Sequence, residues 1–235
     1  MAEIRLDKYL SVALGISRTD AKKLVKSGKV SVDGERAKTA ETKVNTEKSK
    51  VILEGRQLEY KEYIYILMNK PSGILSASTD KRVKTVVDII PNELKREGLF
   101  PVGRLDKTTT GLLIITNDGD FAHRVISPKS MIEKCYYTEL DGVLTDENRR
   151  LLEKGTILAN GTKCLPARIE PLTDTKVYIT VCEGKYHQIK RMFGTVGLGV
   201  NRLHRVSIGD LKLPEELESG KCVEIGEKEL NLIKN

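Results

Sequence analysis

The apolar residues change their periodicity once along this chain, and that change limits what it can fold into. From Ile4 to Ala37 the pattern reads as helix, helix, hairpin. Leu6, Leu10, Ala13 and Leu14 recur at helical spacing, and Gly15 is placed to stop the first helix. Ser17 is an N-cap candidate with Asp20 three residues on, and the second helix then buries Ala21, Leu24 and Val25. Gly28 ends that helix. Val30 and Val32 alternate into Asp33-Gly34, the signature of a tight hairpin, and 50–55 supplies a further strand.

Beyond residue 62 the apolar residues gather into strand-sized runs. Strands are expected at 63–69, 112–116, 136–143, 176–182, 205–209 and 221–225, and helices at 84–90, 119–126, 145–153 and 188–196. The two kinds interleave without a strict βαβ rhythm, and no G-x-G-x-x-G follows a strand. The expected fold class is therefore α+β: a small helix-helix-hairpin module over 1–58, then a larger domain over 62–235. The larger domain should carry a mostly antiparallel or mixed sheet flanked by helices and hold no nucleotide cofactor.

Charge divides the chain at the same place. Residues 1–61 carry 14 Lys and Arg against 9 Asp and Glu, and residues 62–235 carry 26 against 24. In the basic module Arg18, Lys22 and Lys26 fall at i, i+4 and i+8 on one helix face, with no acidic residue after Asp20 to neutralise them. Such a stripe suits phosphate. The four cysteines form no C-x-x-C pair and the three histidines stand apart from them, so no metal site is expected. No apolar run approaches the ~18 residues of a membrane span. The amino-terminal MAEIRLDKYL lacks the apolar stretch of a signal peptide, and the chain is expected in the cytoplasm.

The stretch GRLDKTTTGLLIITNDGD, 103–120, sets one aspartate, Asp106, between Arg104 and Lys107. Cations so near would keep a carboxylate ionised, as a nucleophile or base requires. A glycosidase pair would need a second carboxylate ~5–10 Å away. Asp118 and Asp120 follow only after a strand of ~20 Å or more. They also sit in T-N-D-G-D, where turn and N-cap chemistry accounts for them. Taken alone, Asp106 is better explained as structural.

The combination of motifs alters that balance. RLDKYL, LG-x-SR and A-x-x-L-V-x-x-G-x-V-x-V-x-G resemble the S4 RNA-binding domain. NKPSGILSAS (69–78), GRLDKTTTGLL (103–113), EKCYYTELDG (133–142) and EGKYHQIKRM (183–192), in that order, resemble the pseudouridine synthases. The likeness is in particular to the branch that modifies ribosomal RNA and carries an N-terminal S4 domain. EGKYHQIKRMF with LHR at 203–205 is most similar to the members acting on 16S rRNA.

The resemblance implies that Asp106 is the catalytic aspartate and that Tyr136 stacks on the target base. Ile189 would be an apolar wall and Lys190 the basic partner of Asp106, with Arg191 competing for that role. Arg104 would hold the RNA or the extruded nucleotide. Cys135 stands where threonine is frequent, and Lys190 where many relatives have arginine. His187 would serve structure or RNA positioning, and Leu105, Leu112 and Ile189 would exclude water. Arg5, Lys8, Arg18, Lys22 and Lys26 would form the RNA-binding face of the S4 module.

The expected reaction isomerises uridine to pseudouridine by base flipping, without cofactor or metal. The expected partner is ribosomal RNA, 16S first, free or in an assembling small subunit, with the chain monomeric and not membrane-bound. The alternatives are action on 23S rRNA, a non-catalytic S4-type RNA-binding or assembly factor, and a hydrolase using Asp106.

Overall fold

In the computed structural model, residues 3–233 are described, and they divide into two units. One takes Met1–Ile64 together with Pro91–Leu99, the other Tyr65–Ile90 together with Phe100–Asn235. A linear reading of the sequence could not assign 91–99 to the first unit. The carbonyl of Lys95 lies so close to Gly15 that a Cβ there would stand 2.6 Å from it.

The first unit opens with β1 (Glu3–Arg5), α1 (Leu6–Leu14) and α2 (Arg18–Lys26). The strands β2 (Val30–Val32), β3 (Glu35–Arg36), β4 (Lys43–Asn45), β5 (Val51–Leu53) and β6 (Arg56–Gln57) follow. β1 pairs with β4, and the other four form a sheet in the order β3-β2-β5-β6. The helix signals work as their chemistry requires. Gly15 closes α1 in the left-handed region, and the Asp20 amide donates to Ser17 Oγ at 3.1 Å to cap α2. Asp33 and Gly34 both have positive φ, which a two-residue type I′ hairpin between Val32 and Glu35 demands. Leu6, Leu10, Ala21, Val25, Val30 and Val51 meet in one core.

The second unit contains a nine-stranded sheet. Its strands are β7 (Tyr65–Lys70), β8 (Phe100–Pro101), β9 (Thr110–Thr116), β10 (Lys134–Leu140), β11 (Arg168–Pro171), β12 (Lys176–Val181), β13 (Val200–Ile208), β14 (Leu211–Lys212) and β15 (Cys222–Glu224). The helices are α3 (Gly119–Ile126), α4 (Asp146–Glu153), α5 (Gln188–Thr195) and α6 (Glu227–Asn231). The order is β11-β12-β10-β13-β9-β7-β15, with β14 on β13 and β8 on β9. Every pairing is antiparallel except β13 with β9. The sheet is thus mixed and mostly antiparallel, with helices against it. β9 is buried along Gly111–Thr116, as a central strand covered on both faces must be. Leu112 and Ile114 point into a core with Phe121, Ala122 and Val125 of α3.

Gly111 explains one letter of the T-x-G-L-L motif. Its φ is +101°, and a Cβ there would lie 2.3 Å from the Arg205 carbonyl oxygen. The parallel β9–β13 contact therefore needs glycine at this register.

The structure overturns one expected helix. Residues 84–90 form a turn, not a helix. Thr85 makes a bridge to Leu75, and its amide and hydroxyl both donate to the Asp88 carboxylate, at 2.7 and 3.0 Å. This local side-chain bonding competes with helix formation, in a segment of β-branched residues that ends at Pro91. The short strands β1, β4, β8, β11 and β14 were not foreseen, and β13 starts at Val200, five residues before the expected 205. Among the described residues no helix is long and apolar enough to cross a membrane.

Candidate active site and RNA-binding face

Asp106 sits in the loop between β8 and β9, and three contacts fix that loop. Ser76 Oγ donates to the Leu105 carbonyl at 2.9 Å and accepts from its amide at 3.1 Å, standing in for a strand partner. The Thr109 amide donates to the Asp106 carbonyl at 3.0 Å, closing a turn. The third contact is Lys70, at the end of β7 and fully buried. Its ammonium donates to the carbonyls of Pro71, Lys107 and Thr109 at 3.0, 3.3 and 3.0 Å. Burial pushes Lys70 down to about 8, while the negative charge of Asp106 works against that shift. In sequence Lys70 belonged to a Lys-Pro-Ser-Gly turn. The available signal was a lysine inside an apolar strand, where an ammonium is expensive unless several acceptors meet it.

Lys190 of α5 and His187 just before it approach Asp106. Lys190 Nζ lies 3.6 Å from Asp106 Oδ2, and it donates to Thr108 Oγ1 at 3.0 Å. At that length the ammonium is an ion-pair partner of the carboxylate rather than its hydrogen-bond donor. His187 Nε2 lies 3.4 Å from Oδ1. His187 has a φ of +49° just before α5, and its ring stacks on Tyr186 with centroids 3.8 Å apart. Arg191 turns elsewhere. It donates to Asn160 Oδ1 at 2.5 Å and to the Tyr186 carbonyl at 3.3 Å. Of the two candidate partners, the structure brings Lys190 to Asp106 and leaves Arg191 among residues of its own neighbourhood.

Tyr136, on β10, is almost fully buried and lines the same cleft as Asp106, Leu105, Ile189 and Arg104. Alternation along β10 puts Tyr136, Thr138 and Leu140 on its buried face. Leu112, expected as a water-excluding wall, faces the core packed against α3 instead. Leu203 of β13 lines the cleft and was not foreseen. Arg205, two residues on and 4% exposed, was not foreseen either. Its Nε donates to the Leu112 carbonyl at 2.8 Å, and its guanidinium carbon lies 5.9 Å from the Tyr136 ring centre. The register that pairs Tyr136 with Arg205 across β10 and β13 creates this contact.

A second carboxylate, Glu183, also lines the cleft, so Asp106 is not the solitary acid that the sequence suggested. Glu183 is fully engaged. It pairs with Lys185, accepts from the Leu165 amide at 2.5 Å, and accepts from Gln188 Nε2 at 3.3 Å. The carboxylate is thereby committed to shaping the 183–188 loop. Asp118 caps α3 through the Phe121 amide at 2.9 Å and accepts from the Tyr65 hydroxyl at 2.7 Å, as structural residues do.

In the first unit Arg18, Lys22 and Lys26 are exposed along α2. Lys22 and Lys26 make no ion pair among the described residues, while Arg18 feels the charge of Asp7. Lys8 is half-buried. Arg5 is occupied by two carboxylates, Asp7 at 2.8 Å and Glu41 at 2.9 Å. The Arg5 guanidinium holds the buried Asp7 carboxyl below its usual range.

Comparison with known proteins is consistent along the whole chain. The profile of the RNA pseudouridylate synthase family matches residues 64–195, and that of the S4 domain matches residues 4–48. An RNA pseudouridine synthase of Bacillus subtilis (strain 168), YtzG, is 42% identical over 98% of both chains. The ribosomal small subunit pseudouridine synthase A of Vibrio cholerae serotype O1 is 40% identical over 97% of this chain and 98% of that one. Its Escherichia coli (strain K12) counterpart is 36% identical over the same shares. A crystal structure of a pseudouridylate synthase superposes with a TM-score of 0.69 at 33% identity, covering 98% of this chain and 99% of the other. With both profiles and full-length identities of this size, the chain belongs to the RNA pseudouridylate synthase family, in the form that carries an S4 domain at its N-terminus.

Proposed function

We propose that this protein isomerises one uridine of small-subunit ribosomal RNA to pseudouridine, with Asp106 as the catalytic carboxylate. The observation that carries this reading is the cleft in which Asp106 faces Lys190 and His187 with Tyr136 in the same wall.

The reaction breaks N1–C1′, turns the uracil and forms C5–C1′; the hydrogen on C5 leaves and N1 takes up a proton. The target must leave its stack, at a cost of a few kcal/mol. Stacking on Tyr136 returns about 1–3 kcal/mol of that. Asp106 acts on the sugar or base as an anion, and Lys190 balances its charge. Ile189, Leu105 and Leu203 keep water from the detached sugar, which water would otherwise trap as a hydrolysis product. Arg104 grips the RNA at the mouth.

Residues 1–58 serve as the RNA-binding part, through Arg18, Lys22 and Lys26 with Lys8 beside them. Arg5 contributes more by ordering the start of α1 than by contacting RNA. Residues 62–235 perform the chemistry. The protein works in the cytoplasm as a monomer, on 16S rRNA or an assembling small subunit. The likeness to proteins named for the small subunit supports that substrate.

The test is to incubate the protein with small- and large-subunit rRNA and map pseudouridine by carbodiimide modification and primer extension. One new stop in the small-subunit RNA is expected. A stop only in the large-subunit RNA would refute the substrate, and none in either would refute the activity.

A further inference from the structure

Beside the Asp106 cleft lies a second cavity of about 600 Å³, against about 60 Å³ for the cleft itself. Arg104, Tyr136, Glu183 and Lys185 border both. The second cavity has the size of a ligand site, which generally spans about 300–1,000 Å³. Part of its wall is apolar: Val102 and Val125 are buried, and Ile126 stands half-exposed at the rim.

Four cations line that apolar space; Lys185 is paired with Glu183, and the other three are not fully satisfied. Arg104 makes no hydrogen bond or ion pair among the described residues. Lys134 has only a long contact, 3.5 Å, to the Val125 carbonyl. Arg205 leaves Nη2 buried without a partner. Lys134 and Arg205 also repel each other: burial first, and then the Arg205 charge, pushes Lys134 down to about 8. The acid that could neutralise them, Glu183, is already paired with Lys185. A partly buried ammonium beside a buried guanidinium is unfavourable in an apolar wall unless an anion joins them. Phosphate fits, because guanidinium and ammonium groups bind it strongly and the apolar wall can take the attached sugar or base.

We propose that this cavity seats the nucleotide adjoining the target uridine, with its phosphate between Lys134, Arg205 and Arg104. This assignment rests on the function proposed above in naming the target. Lys134 and Tyr136 are two apart on β10 and so share one face, which places the phosphate beside the ring on which the target base stacks.

The test uses the full chain and small-subunit rRNA randomly ethylated at its phosphates. Bound RNA is separated from free, and the positions where ethylation prevents binding are read for wild type, Lys134→Met and Ile126→Glu. Methionine keeps the apolar stem of Lys134, and position 126 is half-exposed, so both variants should fold. Wild type should show interference at a phosphate flanking the modified uridine, and Lys134→Met should lose it. Lys134→Met should also bind about 5–20-fold more weakly, with the slope of log K on log salt shallower by about 0.7. Ile126→Glu should weaken binding, and Ile126→Gln should do so less.

If neither variant alters the interference pattern or the affinity, the proposal is wrong, whether or not wild type forms pseudouridine. If inorganic phosphate binds wild type but not Lys134→Met while the two show the same RNA interference pattern, the cavity is a free-anion site and the RNA assignment fails. Pseudouridine formation is read separately on unmodified RNA, so loss of the activity reading cannot be mistaken for loss of this one.

Discussion

Replacing Lys70 by methionine should loosen the loop that carries Asp106. The change keeps the stem of a fully buried side chain but removes the donor shared by the Pro71, Lys107 and Thr109 carbonyls. The Lys107 carbonyl keeps the Gly73 amide at 2.8 Å, so two carbonyls lose their donor at about 1–3 kcal/mol each, a gross loss of about 2–6 kcal/mol. Against this stands the cost of dehydrating an ammonium in the native protein, which is several kcal/mol. The net loss is therefore smaller, about 1–3 kcal/mol. For a unit of ~150–250 residues that lowers the midpoint of thermal unfolding by about 2–12 °C. Displacing Asp106 by ~1 Å should also slow turnover about 100-fold. Circular dichroism melting and single-turnover pseudouridine formation read the two effects. A variant melting within about 1 °C of wild type, with turnover within about twofold, would refute the role assigned to Lys70.

Gly111→Ala should destabilise the sheet by about 3 kcal/mol or more, because its Cβ meets the Arg205 backbone at 2.3 Å in a left-handed conformation; denaturant unfolding measures it. Replacing Lys22 and Lys26 by glutamine should make the slope of log K on log salt shallower by about 1.4–1.8 while the maximal single-turnover rate stays within about twofold. Filter binding across a salt series checks the first part. Lys70 and Lys134 both titrate near 8 when folded, below their ordinary 10.5. Between those values the unfolded chain binds more protons, so unfolding free energy should rise with pH from about 8 to 10.5. Lys134→Met should remove part of that rise in urea titrations at stepped pH.

The parts of this fold that were legible in the sequence are those set by neighbours a few residues apart. Ser17 with Asp20, Asp33 with Gly34, and Asp118 before α3 each complete a local hydrogen-bonding or backbone requirement. The turn at 84–90 was misread because its apolar content suits a helix, while the bond from Thr85 to Asp88 shows only in three dimensions. The site divides in the same way. Asp106, Tyr136, Ile189 and Lys190 were reached through motifs that they sit in. Lys70, Leu203, Arg205 and Glu183 lie in the same motifs, but nothing in the sequence assigned them a role. Their importance comes from sheet register and burial: Arg205 reaches Tyr136 only because β10 pairs with β13, and Lys70 meets its neighbour's carbonyl and two carbonyls of the Asp106 loop.

The central claim is that a single carboxylate, Asp106, carries the chemistry on small-subunit rRNA. The most direct measurement compares wild type with Asp106→Asn, mapping pseudouridine in that RNA and measuring RNA binding in the same preparations. The substitution keeps size and shape and removes the charge that faces Lys190. The account predicts one modified uridine with wild type, none with Asp106→Asn, and binding within about threefold of wild type, a difference worth under ~1 kcal/mol. Full pseudouridine formation by Asp106→Asn would contradict it.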